Sequence, residues 1–175
     1  MTPDDILSFW FAGDTRARWF DVSPQFDAEI RRRFGALYED AASLPWRNDA
    51  TSALALVILL DQFPRNMFRD SPRAFESDGQ ALAVANDAIA RGFDTVLIAE
   101  QRRFLYMPFM HAESLAAQDR GIELFTALGD ADTLDYMKRH RDIIARFGRF
   151  PHRNAILDRT STPDELASGA TKQGF

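Results

Sequence analysis

Apolar residues recur every three or four positions along most of the chain, which is the spacing of one face of an α-helix. The polar stretches between these segments carry helix-start and helix-stop signals. Ser23–Pro24 and Thr162–Pro163 combine an N-cap residue with a proline at the first helical position, and Gly148 is placed to end a helix. No alternation of strand and helix patterns is present. The pattern predicts an all-α protein, a single helical bundle or array of about seven to nine helices.

The most apolar stretch, residues 53–60, reads Ala-Leu-Ala-Leu-Val-Ile-Leu-Leu. A helix that is apolar on every side is typical of the centre of a core. A buried parallel strand is the competing interpretation, but the flanking segments have helical spacing. We therefore predict a buried central helix near residues 49–62. The apolar run is far shorter than the ~20 residues that a membrane helix needs, so we expect no membrane contact.

The chain has 175 residues, no cysteine and a net charge of −5. This length fits one domain, which we place at residues 1–168, followed by a small, polar and frayed tail at 169–175. The lack of cysteine excludes disulfides and thiolate chemistry, and the acidic balance argues against a nucleic-acid binder. The N-terminus does not have the pattern of a signal peptide, so we expect a cytoplasmic protein.

Basic residues are concentrated in one part of this acidic chain. Between Lys138 and Arg159 there are seven Lys or Arg and two Asp, a net charge of +5, so the rest of the chain carries −10. A cationic region in an acidic protein can attract anions selectively, or it can dock against the protein's own carboxylates.

Two polar residues, His140 and Arg141, interrupt the apolar stripes of the helix in this basic region. Burying a polar group without a partner costs ~1–3 kcal/mol, so each side chain needs a partner or a route to solvent. Gly148 and Pro151 should end the helix. Residues 149–154 are then expected in a turn, where side chains can converge on a ligand.

A short motif is repeated along the chain: residues 63–66 read Phe-Pro-Arg-Asn, and residues 150–154 read Phe-Pro-His-Arg-Asn. Residues 106–111, Tyr-Met-Pro-Phe-Met-His, are a looser third copy. We expect three helix breaks that place three polar turns at one end of the bundle, although Phe-Pro is also a common way to stop a helix. Asp61 would then lie at a helix C-terminus and need a cation such as Arg65.

Two functional hypotheses follow. In the first, a pocket binds a small anionic ligand, because arginine forks hold a carboxylate or phosphate bidentately and asparagine can orient it. A histidine of near-neutral pKa could move a proton, which would make the protein an enzyme. The ligand-binding candidates are Arg65, Asn66, Arg149, Arg153 and Asn154, and the catalytic candidates are His111, His140 and His152.

In the second hypothesis the same residues, with Asp61, Arg141 and Arg146, form a structural polar lock, and the helical surface binds a peptide or protein. The pocket is favoured because so many donors without nearby acceptors would be unusual for a structural network. No metal or cofactor is expected, because HExxH, CxxC and glycine-rich phosphate-loop spacings are missing and the arginines would repel a cation.

Four motifs together are similar to the bacterial family DUF924. They are Leu-Leu-Asp-Gln-Phe-Pro-Arg-Asn at 59–66, Arg-Ala-Phe at 73–75, Tyr-Met-Pro-Phe-Met-His-Ala-Glu at 106–113 and Arg-Phe-Gly-Arg-Phe-Pro-His-Arg-Asn at 146–154. The resemblance implies an all-α fold of the tetratricopeptide-like superfamily, with no agreed function and no established catalytic residues. The sequence shows no clear repeat of tetratricopeptide length. One departure is Asp158, where the family pattern leads us to expect glycine.

Overall fold

A computed structural model describes residues 1–172. Within that range every regular element is helical and no strand is present, which confirms the all-α prediction. Nine helices are present there when α4, a π-helical segment and α5 are counted as one continuous helix. They are α1 (Pro3–Trp10), α2 (Gly13–Arg16), α3 (Pro24–Glu39), α4 (Ala50–Val57), the π-helical segment (Ile58–Gln62), α5 (Phe63–Met67), α6 (Asp78–Ala90), α7 (Ala99–His111), α8 (Leu115–Leu128), α9 (Ala131–Phe147) and α10 (Pro163–Ser168).

The helix ends follow the local signals of the sequence. Ser23 caps α3 by accepting a hydrogen bond from the amide of Phe26, and Thr162 forms a capping box at α10. Gly148 ends α9 with φ +70°. Asp158 has φ +52°, a left-handed conformation that glycine adopts at no steric cost. The backbone therefore explains why glycine was expected at that position.

The central helix is buried without interruption from Ala53 to Pro64, as predicted, but it continues to Met67. The prediction that Phe63–Pro64 breaks the helix is wrong. Proline has no amide hydrogen and removes one helical hydrogen bond, and here the helix widens into the π-helical segment just before it. Pro108 is likewise inside α7 and does not end it.

A long-range contact compensates for the proline in the central helix. Pro64 cannot donate to the carbonyl of Leu60, four residues earlier. The hydroxyl of Ser77 donates to that carbonyl instead, at 2.6 Å, and accepts a hydrogen bond from the hydroxyl of Tyr38 at 3.1 Å. Both side chains are buried, so the carbonyl is satisfied although water cannot reach it.

The chain divides into two compact units, and the boundary falls within α7, after Pro108. The first unit comprises residues 1–69 and 73–108. Its core is an aromatic cluster in which Trp10 packs edge-on against Phe63 and Phe104, with ring centroids 5.6 Å apart in each case. Trp10 is fully buried, whereas Phe20, another aromatic residue near the N-terminus, is 72% exposed.

The second unit comprises residues 70–72 and 109–175, and its centre is the antiparallel pair α8 and α9. Gly121 allows a close approach, because a Cβ atom there would lie 2.8 Å from the sulfur of Met137. Of the predicted tail, Ala170 is buried, and residues 173–175 lie outside the described residues.

Candidate functional site

The three histidines of the chain belong to the second unit, where they gather near the buried ring of Phe150. The rings of His140 and His152 each lie with centroids 5.6 Å from that of Phe150, and the His111 ring lies 6.5 Å from His140. The guanidinium carbon of Arg153 is 4.6 Å from the Phe150 centroid. We call these five residues the Phe150 cluster. Three separate segments supply it: the end of α7, the middle of α9 and the turn after Gly148.

His140 is buried and electrically neutral near pH 7. Its Nδ1 lies 2.8 Å from the carbonyl oxygen of Tyr136, which can only accept, so Nδ1 carries the hydrogen. Burial lowers the pKa of His140 to about 3, and the nearby His111, Arg153 and His152 act in the same direction. The bond to Tyr136 opposes the shift but is outweighed. Because an imidazole with so low a pKa stays unprotonated near pH 7, it is a poor proton donor.

Arg149 and Asn154, both predicted ligand-binding residues, are bound to a buried carboxylate. Glu165 is 2% exposed and accepts hydrogen bonds from Arg149 Nε at 2.6 Å and Nη2 at 2.9 Å, and from Asn154 Nδ2 at 3.1 Å. The backbone amide of Thr162 donates to it at 2.7 Å. The hydrogen bond from Arg149 is the main cause that lowers the pKa of Glu165 to about 2. We call this arrangement the Glu165 lock.

A second carboxylate, Glu113, holds the turn at Phe150. It accepts two hydrogen bonds from Arg159, at 2.7 and 2.9 Å, and one from the backbone amide of Phe150 at 2.7 Å. Partial burial raises the pKa of Glu113, but the hydrogen bonds from Arg159 and Phe150 outweigh burial, so the pKa lies below its usual value. Arg153 is 6% exposed and donates to the carbonyl of His111 at 3.1 Å.

Arg65 and Asn66 belong to the first unit, and both contact carboxylates there. Arg65 donates to Asp78 at 2.8 and 3.0 Å, and Asn66 donates to Asp27 at 2.8 Å. Asp61 is fully buried inside the continuous helix and not at its C-terminus, which corrects the expectation from the sequence. Arg65 lies 3.6 Å from it and is the predicted compensating cation. Burial lowers the pKa of Arg65, but Asp61 and Asp78 outweigh burial and raise it.

Arg141 and Arg146, assigned to an internal lock from the sequence, pair at the surface. Arg141 contacts Asp119 at 2.8 Å and Arg146 contacts Asp164 at 2.8 Å, and the arginine side chains are 38% and 55% exposed. Such exposed pairs contribute little to stability. The acceptors Glu113 and Glu165 were not predicted from the sequence, although Glu113 ends one family motif and Glu165 completes the capping box.

One concave surface of the first unit lies along α1, α2 and α3. Two adjoining hollows of about 430 and 310 Å³ share Asp5 and Arg33 and form what we call the α1–α3 groove. Phe9 and Phe34, which are 9% and 3% exposed, form its apolar floor. Its remaining lining residues are Met1, Ser8, Ala12, Asp14, Thr15 and Glu29. The groove therefore has an apolar floor and a rim with three carboxylates, of which Glu29 pairs with Arg33 and both Asp14 and Glu29 pair with Arg18.

Two kinds of feature are absent from residues 1–172, a candidate metal centre and a candidate membrane span. No group of three or more His, Asp or Glu side chains in that part of the chain is placed to hold a metal ion. None of its helices has the length and apolar character needed to cross a membrane.

Comparisons with known proteins give a family but no activity. The family model described as "Bacterial protein of unknown function (DUF924)" matches residues 6–169. A solved structure of a protein of unknown function from Agrobacterium tumefaciens, ATU0120, is 42% identical, with a TM-score of 0.89 over 95% of each chain. No curated protein matches the chain. The chain belongs to the DUF924 family, a bacterial protein family of unknown function.

Proposed function

We propose that this protein is a helical binding module whose α1–α3 groove takes a cationic segment of a partner protein. The observation that carries the proposal is the groove itself, an open hollow with an apolar floor of Phe9 and Phe34 and with three carboxylates on its rim, two of them paired with arginines. Peptide-binding grooves combine these features: apolar anchors supply affinity, and the charged rim selects the partner. A tetratricopeptide-like arrangement and a cytoplasmic location, both expected from the sequence, remain part of the proposal.

The side chains first considered for an anionic ligand support this choice. Arg149 and Asn154 bind Glu165, and Arg65 binds Asp78, so each donor already has a carboxylate acceptor. The anion pocket was predicted because so many hydrogen-bond donors had no nearby acceptor in the sequence. An anion at these positions would have to displace carboxylates that are covalently part of the chain, which lowers its effective affinity.

Blocking the groove tests the proposal. We expect a labelled twelve-residue peptide of leucine with lysine and arginine to bind at least about tenfold more tightly than its counterpart with glutamate, and binding to weaken with salt. Ser8 is exposed on α1 and lines the groove, so Ser8→Trp should abolish binding. Gln80→Trp, at an exposed position of α6, is the matched control and should bind as wild type.

Fluorescence anisotropy gives the affinities, and circular dichroism checks that both variants are folded. Equal binding by Ser8→Trp and wild type, or no binding of any peptide, would rule out the groove as the site.

A second candidate function, an anion site, follows from the Phe150 cluster. His111, His152 and Arg153 surround His140 and the ring of Phe150, and all three are basic residue types. If this cluster binds anions, then phosphate or citrate should raise the melting temperature of wild type. The Arg153→Lys variant, which keeps the charge but loses the planar fork, should respond less. A melting temperature that neither anion changes would remove this candidate.

A further inference from the structure

Two short segments of the first unit expose large apolar side chains to solvent. Phe20 and Val22 belong to the first apolar segment, residues 20–22, which lies just before α3. Val96 and Ile98 belong to the second apolar segment, residues 96–98, which lies just before α7. The four side chains are between 60 and 75% exposed, and none of them lines the α1–α3 groove.

Two contacts hold the apolar segments beside each other. Arg16 donates two hydrogen bonds to Glu100, at 2.9 and 2.8 Å, and the ring of Trp19 packs against Phe104 with centroids 4.6 Å apart. Both contacts join the turn before the first apolar segment to the start of α7, directly after the second. Four exposed side chains of this size present roughly 400 Å² of apolar surface, and a patch of that size on a monomer is often functional.

The two apolar segments carry opposite charges. Asp21 is exposed at the centre of the first segment, and its side chain makes no hydrogen bond or ion pair with any residue in 1–172. Arg18, three residues earlier, is paired with two other carboxylates. At the second segment, Arg102 donates from Nε to the carbonyl of Leu97 at 3.1 Å and pairs with no carboxylate of the described chain. Each segment therefore combines two exposed apolar side chains with one charge that has no counterion.

We propose that this surface binds a second copy of the chain in a two-fold symmetric dimer, with the first apolar segment of each copy packed on the second apolar segment of the other. A two-fold interface needs a surface that is complementary to itself. The crossed pairing meets this need, because Asp21 of each copy then lies against Arg102 of its partner, and apolar side chains meet apolar side chains. Pairing of like segments would instead bring like charges together. This inference concerns a different surface from the groove and does not rest on the function proposed for it.

The size of the surface sets the strength of the dimer. Two copies bury roughly 800 Å² of apolar surface, and the charged rim brings the total to about 1,000 Å², the low end for a specific interface. The dimer is therefore weak and reversible. Analytical ultracentrifugation should show a shift from monomer to dimer between about 5 and 500 µM protein.

A charge placed in the patch tests where the dimer forms. Phe20→Glu should raise the dissociation constant at least about thirtyfold, because the new carboxylate would be buried against apolar side chains. Leu166→Glu is the matched control: Leu166 is 60% exposed on α10, outside both apolar segments, and this variant should dimerise as wild type. Circular dichroism checks that both variants are folded.

Exchanging the charges tests the crossed pairing. Asp21→Arg alone and Arg102→Glu alone should each weaken the dimer at least about fivefold, because like charges then meet at both contacts. An equimolar mixture of these two variants should form heterodimers with about the affinity of wild type, since both contacts again join opposite charges.

Each negative result overturns a stated part of the inference. A wild type that stays monomeric at the highest concentration, or a dimer that Phe20→Glu leaves intact, would overturn the proposal and leave the patch to a different partner. A dimer that Phe20→Glu dissociates but whose charge variants do not recover on mixing would overturn the pairing of the first apolar segment with the second.

Discussion

Replacing Glu165 by alanine is expected to lower the free energy of unfolding by about 3 kcal/mol. The carboxylate is 2% exposed and receives four hydrogen bonds, from Arg149, Asn154 and the backbone of Thr162. Its removal takes the carboxylate acceptor from the guanidinium and the buried amide, which keep only the carbonyl of Thr160 and the hydroxyl of Ser161, and it also breaks the capping box of α10. Urea denaturation followed by circular dichroism measures the loss.

The neighbouring residue gives a matched control. Asp164 also pairs with an arginine at 2.8 Å, but its side chain is 63% exposed and that of Arg146 is 55% exposed. Asp164→Ala should therefore cost less than about 0.5 kcal/mol. Similar losses for the two variants would show that Glu165 is not the buried centre of a lock, and that its arginine is available to a ligand.

Stability is expected to fall by about 2 kcal/mol between pH 7 and pH 5 because of His140 alone. The folded protein keeps this imidazole neutral down to a pKa of about 3, whereas the unfolded chain takes up a proton near 6.5. Between these two values the unfolded state binds more protons, so each unit of decrease in pH lowers the free energy of unfolding by about 1.4 kcal/mol. The contribution is complete above pH 6.5 and is lost as the pH falls toward 3.

The His140→Gln variant isolates this effect, because glutamine does not titrate. Denaturation curves of wild type and variant at several pH values should diverge near neutral pH and converge as the pH falls. The interval from pH 7 to 5 avoids the titration of Glu165, whose pKa is about 2, and groups that titrate alike in both proteins cancel in the difference. A constant difference between wild type and variant over that interval would contradict a buried, neutral His140.

The parts of the fold that were predictable from sequence depend on nearby residues. N-cap residues such as Ser23, the glycine at 148 and the apolar run at 53–60 determine where helices begin, end and become buried. The continuation of the central helix through Pro64 was not predictable in this way. Pro64 leaves the carbonyl of Leu60 without its usual helical donor. The hydroxyl of Ser77, 17 residues further along the chain, donates to that carbonyl.

The candidate sites were less accessible to sequence reasoning, because the partner of each charge is distant along the chain. Arg159 pairs with Glu113, 46 residues away, and Arg65 pairs with Asp78, 13 residues away. The periodicity of apolar residues predicts which helices and turns carry the arginines, but it does not show which carboxylates accept their hydrogen bonds. The α1–α3 groove was missed since Glu29 and its neighbours have the composition of an ordinary solvated helix face.

The most direct test of the binding account is to map where a cationic peptide contacts the isotope-labelled protein. Amide chemical shifts in a two-dimensional NMR spectrum can be followed during titration with the twelve-residue peptide of leucine, lysine and arginine. The account predicts that the largest changes fall on α1 and α3, near Ser8, Phe9 and Glu29, and disappear in Ser8→Trp. Changes centred on Phe150 and Arg153, or changes that persist in Ser8→Trp, would contradict it.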